Sequence, residues 1–180
     1  MTHVALLRGI NVGGNNILPM KDLAKMFADA GCANVRTYIQ SGNVIFEKAN
    51  GAQKIADAIT ANIEKRLGFP APIILRTSEQ LRKIIRDNPF LGAAPDQKWL
   101  HVYFLAAAPQ ARAIASLDPN RSAPDAFQVL GQEIYLHLPN GMGRSKLTNA
   151  YFDSKLSTTC TARNWATVLK LSAMMDTPAL

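Results

Sequence analysis

Two short segments of this chain hold the residue types that bind anions. The first is Met142-Gly143-Arg144-Ser145-Lys146-Leu147. The second is Ser157-Thr158-Thr159-Cys160-Thr161-Ala162-Arg163-Asn164-Trp165. They combine a glycine turn, separated cations and a run of hydroxyls, all ahead of an amphipathic helix. Glycine lets backbone N–H groups approach a ligand, and a helix N-terminus presents unpaired donors and a positive dipole end. An arginine fork matches phosphate or carboxylate, and a lysine adds a point charge. Together these are the parts of an anion site. A cation such as Arg163 at a helix start opposes the dipole unless an anion sits there. The plainer alternative is that Arg163 points away and pairs with a carboxylate elsewhere. The sequence leaves both open.

Two more constellations belong to the same chemistry. Arg8-Gly9-Ile10-Asn11-Val12-Gly13-Gly14-Asn15-Asn16 follows an apolar strand and precedes a helix, where α/β proteins place phosphate groups. Its glycines at 9, 13 and 14 do not spell G-x-G-x-x-G, and no Gly-Lys-Ser/Thr closes it as a P-loop. It reads as a ligand loop rich in amide donors, or as a plain glycine turn. Thr37-Tyr38-Ile39-Gln40-Ser41-Gly42-Asn43 is a polar hairpin tip, where Ser41 and Asn43 serve a turn or a ligand. If one site uses all these parts, its ligand-binding residues are Arg8, Asn11, Gly13, Gly14, Ser41, Asn43, Arg144, Ser145, Lys146, Arg163 and Asn164.

Chemistry beyond binding has few candidates. Catalysis would rest on Arg144, Lys146 and Arg163 stabilising a developing oxyanion. Ser41, Ser145 and Asp153 are the only side chains to consider as nucleophile or base, and Ser41 lacks the G-x-S-x-G context of a hydrolase elbow. The three histidines (His3, His101, His137) and two cysteines (Cys32, Cys160) are scattered, with no zinc spacing. No carboxylate pair is placed to hold magnesium. No metal and no cofactor are expected. Trp165, at helical spacing with Val168 and Leu169, reads as core. Tyr38, Tyr151 and Phe152 could stack on bases, but the clustered strand aromatics of RNA-binding sheets are missing.

The elements that must position these residues follow from periodicity. Residues 3–7 form a continuous apolar run, a buried strand. Met20, Leu23, Phe27 and Ala30 form a helical stripe behind Pro19. Residues 35–39 and 44–47 flank the hairpin tip. Ile55, Ile59, Ile63 and Leu67 form a second stripe, and residues 73–75 another strand. Thr77-Ser78-Glu79-Gln80 has capping-box spacing and opens a third helix. The second half repeats the grammar: a strand at 99–105, a short helix after Pro109, and strands 127–130 and 133–138 around Gly131-Gln132. A final helix carries Trp165. The order is β-α-β-β-α-β, a helix, then β-α-β-β-α, with no obvious last strand in the second half. The expected fold is α+β: one compact unit over 1–180, with ferredoxin-like-related subdomains 1–90 and 91–180 joined near 89–98. Each has a mainly antiparallel sheet.

Composition sets the bounds. At 180 residues the chain can bury a sizeable core without staples. The formal net charge of +7 permits nucleic acid, nucleotides or acidic metabolites as partners, and equally serves solubility alone. Residues 141–170 hold Arg144, Lys146, Lys155, Arg163 and Lys170 against the single carboxylate of Asp153. No stretch approaches the ~20 apolar residues of a membrane span, and residues 3–7 are too short for a signal peptide. A cytoplasmic protein with reduced, buried thiols and no membrane partner is expected.

Four blocks together resemble a known bacterial family. They are residues 6–14 (Leu6 to Gly14), residues 35–44 (Val35 to Val44), Gly143-Arg144-Ser145-Lys146-Leu147 and Arg163-Asn164-Trp165. The chain resembles the family named domain of unknown function 1697. It differs from the usual pattern at Asn15, where a lysine is common, and at Ala162, where a second threonine often precedes the arginine. The resemblance implies a soluble α+β protein with two ferredoxin-like-related subdomains and no established activity. Three functional readings compete. One is a module binding an anionic ligand, whether nucleotide, nucleic-acid backbone or phosphorylated or carboxylated metabolite. The second is a metal-independent enzyme acting on an anionic metabolite. The third is a structural or interaction protein without a small-molecule ligand.

Overall fold

The computed structural model describes residues 1–94 and 96–177. Residue 95, inside the joint expected near 89–98, and residues 178–180 lie outside the described part. The chain divides into two compact units. One is Met1–Arg82 with the segment from Leu171 onward, and the other is Lys83–Lys170.

The first unit contains β1 (Thr2–Leu7), α1 (Met20–Asp29), β2 (Ala33–Tyr38), β3 (Asn43–Glu47), α2 (Ala52–Leu67) and β4 (Ile73–Thr77). Its strands pair antiparallel in the order β2-β3-β1-β4. This is the split β-α-β arrangement of ferredoxin-like folds. In β1, His3 to Leu7 are all buried, which explains why that strand reads as a continuous apolar run. Ala5, Leu7, Val44 and Phe46 share a core with Leu23 and Phe27 of α1 and Ile59 and Ile63 of α2. Each such large side chain contributes about 1.5–3 kcal/mol of burial energy.

The second unit repeats the topology with β5 (Leu100–Leu105), α4 (Ala111–Ala115), β6 (Ala126–Leu130), β7 (Glu133–His137), α5 (Asn149–Leu156) and β8 (Cys160–Asn164). The sheet order is β6-β7-β5-β8, again antiparallel. Its core joins Tyr103, Leu105, Ile134, Leu136, Tyr151, Phe152 and Leu156. The hairpin expected at Gly131-Gln132 is present, with Leu130 opposite Glu133.

Two elements depart from the sequence reading. The second half does have a last strand, β8, and a helix α5 precedes it. The Thr159-to-Asn164 run is polar and mixed, without the alternation that marks a strand. It becomes one because β5 offers a free edge, where Val102 pairs with Arg163 and Phe104 with Thr161. Helix α5 was hidden because its apolar residues do not form a clean stripe. It is held instead by Thr148, whose Oγ1 accepts from the Tyr151 N–H at 3.2 Å.

Two further helices, α3 (Ser78–Arg86) and α6 (Trp165–Asp176), complete the chain. The division between units falls inside both. At the start of α3 the expected capping box is formed in both directions. The Thr77 N–H donates to Gln80 Oε1 at 2.8 Å, and the Gln80 N–H donates to Thr77 Oγ1 at 3.2 Å. Thr77→Val keeps the β-branched shape of a strand residue and removes only the cap oxygen. It is expected to cost about 1 kcal/mol of stability in urea unfolding. No loss would mean that water replaces the cap at no cost.

Candidate functional site

In the first unit, the loop after β1 folds into a miniature hairpin. Val12 bridges Asn15, and the Asn11 N–H donates to the Asn16 carbonyl at 3.1 Å. Gly13 and Gly14, with φ of 56° and 78°, form its tip, and both are exposed. Two successive positive φ values define the mirror-image turn that matches strand twist. Asn11 anchors the base. Its Nδ2 donates to the carbonyls of Leu18 (2.9 Å) and Gln40 (2.8 Å), and its Oδ1 accepts from the Leu18 N–H (2.9 Å). The Gln40 contact brings the β1 loop and the hairpin tip together. Asn43 is fully buried, and its Nδ2 donates to the Tyr38 carbonyl (3.1 Å) and to Ser41 Oγ (2.9 Å). The Arg8 N–H donates to the Pro72 carbonyl at 3.0 Å, and its side chain is half-buried. Asn11 and Asn43 thus direct their amides at the protein backbone.

In the second unit, Arg144 and Lys146 face a cleft of about 450 Å³. Its other lining residues are Asn120, Arg121, Ser122, Ala123, Asp125 and Asn140. Two loops build it. The Lys146 N–H donates to Ser122 Oγ (3.0 Å), and Arg121 Nε donates to the Lys146 carbonyl (3.0 Å). The Arg121 guanidinium lies over the Tyr151 ring at 4.1 Å, a cation–π contact that orients it. Ser122 Oγ donates to Asp125 Oδ2 at 2.6 Å. Asp125 Oδ1 is buried and has no donor among the described residues.

The glycine turn itself works differently from the expectation. Residues Met142–Arg144 form a single 3-10 turn. The N–H groups of Arg144 and Ser145 donate to the carbonyls of Gly141 and Met142, and the Leu147 N–H donates to Ser145 Oγ. Those backbone donors are consumed within the loops. The cationic side chains carry whatever anion affinity the cleft has.

Arg163 lies on β8, two residues before α6, and is buried. Its Nη1 donates to Thr161 Oγ1 (3.0 Å) and to the Ala162 carbonyl (2.7 Å). Burial pushes its pKa down to about 10, so it stays protonated at neutral pH. It is not among the residues that line the cleft. Asn164 caps α6, with its Oδ1 accepting from the Thr167 N–H at 2.8 Å. The hydroxyl run is divided: Thr158 Oγ1 accepts from the Ala107 N–H, and Thr161 serves Arg163. Asp153 accepts from the Cys160 N–H at 2.9 Å, joining α5 to β8. Tyr151 and Phe152 are core residues, as is Trp165. Burial also raises the pKa of the Cys32 thiol.

Sequence reasoning missed Asn120, Arg121, Ser122, Asp125 and Asn140. A signal was present. Asn120-Arg121-Ser122-Ala123-Pro124-Asp125 puts a cation next to a hydroxyl in one loop, the pairing that Arg144-Ser145-Lys146 also has.

The structure resembles that of a conserved bacterial protein from Streptococcus pneumoniae, with a TM-score of 0.76 over 97% of this chain and 98% of that one. Sequence identity is 19%, so the likeness concerns the fold. Comparison with curated proteins gives no match. No helix among the described residues is long and apolar enough to cross a membrane. The model of the family described as a protein of unknown function (DUF1697) matches residues 1–135, and the chain belongs to that family.

Proposed function

We propose that the second unit binds a small anionic ligand in the cleft bordered by Arg121, Arg144 and Lys146. The observation that carries this reading is the charge of the lining: three cations face one carboxylate, Asp125. Arg144 and Lys146 are exposed, and among the described residues neither side chain makes an ion pair or hydrogen bond. Cations held at the mouth of a concave polar site attract an anion rather than stabilise the fold. Cys32 and Cys160 are buried and form no disulfide, which suits a reducing, cytoplasmic setting, and the bacterial structural relative suits a bacterial source. The residues of the β1 loop and hairpin tip, with Asn11 and Asn43 bonded to backbone, support an architectural role for that part of the chain.

A thermal-shift screen against phosphorylated and carboxylated metabolites tests the proposal. A ligand at 100 times its Kd adds about 2.7 kcal/mol, a rise of roughly 5–10 °C in Tm for a chain of this size. The double variant Arg144→Gln/Lys146→Gln is expected to abolish that rise. Its Tm without ligand should stay within about 2 °C, because exposed side chains contribute little. An unaltered ligand shift in the variant rules this cleft out. Oligonucleotide binding that weakens steeply with salt would instead favour a nucleic-acid backbone.

A further inference from the structure

We infer that β6 is a docking edge for a second copy of this chain, the two β6 strands pairing antiparallel across a two-fold axis at Gln128. A strand at a sheet edge presents unpaired backbone groups, and soluble proteins protect such edges with charge, proline or a bulge. The sheets end at β2 and β4 in the first unit and at β6 and β8 in the second. β2 carries Arg36 and an irregular register between Ala33 and Arg36. β4 carries Arg76, and β8 carries Arg163. β6 reads Ala-Phe-Gln-Val-Leu, with no charge and no proline, and its register with β7 is regular throughout. Gln128 and Leu130 are exposed. Of these edges among the described residues, β6 is the unprotected one.

The backbone phase selects the occupant. The two-residue turn has positive φ at Gly131 (63°) and not at Gln132, so Leu130 and Glu133 close it as a hydrogen-bonded pair. Bonded pairs alternate along an antiparallel ladder. Leu130, Gln128 and Ala126 therefore turn their N–H and C=O groups to β7. Phe127 and Val129 turn theirs outward, where no strand among the described residues meets them. These two residues lie symmetrically about Gln128. When a second β6 comes alongside with Gln128 opposite Gln128, each Phe127 faces Val129 of the second copy, and N–H···O bonds form in both directions at each such pair. The facing side chains are then an aromatic and a β-branched residue, a favoured cross-strand combination. Leu130 meets Ala126, and two neutral amides meet at the axis, so no like charges oppose one another. An arbitrary extended peptide satisfies the backbone groups but lacks this side-chain match. Phe127 and Val129 already pack against the core of the second unit, so the added strand extends an existing apolar surface. Contact through one edge buries less than the ~1,000 Å² of a lasting interface, which makes the dimer a weak, concentration-dependent one.

Sedimentation equilibrium of the full chain, from about 5 μM to about 0.5 mM, tests this over the range where weak dimers form. The average mass should climb with concentration from the monomer toward twice that value. Hydrogen exchange at the top of the range should slow at the Phe127 and Val129 amides, and not at Gln128, whose N–H is already bonded to β7. Gln128→Lys and Gln128→Glu each set like charges opposite one another at the axis. Because Gln128 is exposed, neither change disturbs the fold. At low ionic strength each variant alone should dimerise about fivefold more weakly, and an equal mixture should regain a dimer at least as tight as the wild type. A wild-type chain that stays monomeric up to about 0.5 mM overturns the inference and leaves the edge to an extended segment of a different protein. A dimer that neither Gln128 variant weakens, or that leaves exchange at Phe127 and Val129 as fast as in the monomer, joins through another surface and overturns it too. So does a mixture no tighter than the variants alone.

Discussion

Replacing Gly42 by alanine should lower stability by about 2–5 kcal/mol, with the midpoint of urea unfolding shifted and its slope unchanged. Gly42 sits at the hairpin tip with φ of +75°, in the left-handed region. A side chain there costs about 1–2 kcal/mol in backbone strain alone. The added Cβ would also lie 2.7 Å from Leu7 Cβ and 3.0 Å from Ile10 Cδ1. Both neighbours are core residues with little freedom to move. Gly42 cannot retreat either, because its carbonyl accepts from the Leu7 N–H at 2.8 Å. Gly13 is the matched control. Its φ is +56°, but an added Cβ meets nothing within 4 Å. Gly13→Ala should therefore show only the strain, about 1–2 kcal/mol. Equal losses in the two variants would show that crowding against Leu7 and Ile10 contributes nothing.

Phe152→Ala should be comparably severe, at about 3–5 kcal/mol. Phe152 is fully buried in α5 and meets three rings: Tyr103 at 5.2 Å, Tyr151 at 5.3 Å and Phe127 at 5.7 Å between centroids. These tilted and edge-on contacts tie α5 to β5 and β6. Losing the ring leaves a cavity that three aromatic neighbours cannot readily fill. Because Tyr151 also carries the Arg121 guanidinium, the same change should weaken ligand binding in the cleft, measured by the thermal shift of the surviving folded protein. A loss below about 1 kcal/mol would mean that the second unit repacks around the gap.

Much of the architecture was legible because it is local. The apolar run of β1, the stripe of α1 and the capping box at Thr77 and Gln80 each depend on residues within a few positions of one another. Such patterns survive in a linear reading, and so the two β-α-β-β frames and their antiparallel sheets were expected. The missing strand shows the limit. β8 has no strand pattern of its own, and its pairing with β5 spans some sixty residues of sequence, His101 lying opposite Asn164.

The site follows the same division. The sequence by itself determined that Arg144 and Lys146 stand in an exposed glycine turn, since charge and glycine are incompatible with a core strand. It also determined that Gln40 to Asn43 form a hairpin tip. Only the tertiary structure decided that Arg163 is buried on β8, that Asn11 directs its amide to Gln40 twenty-nine positions away, and that Arg144 lines a cleft together with residues 120–123 and Asp125. The physical reason is one of range. Helix, strand and turn preferences act between near neighbours. Which side chains meet in a cleft depends on how packed elements align distant segments, and a hydrogen bond such as Lys146 N–H to Ser122 leaves no local mark on either segment.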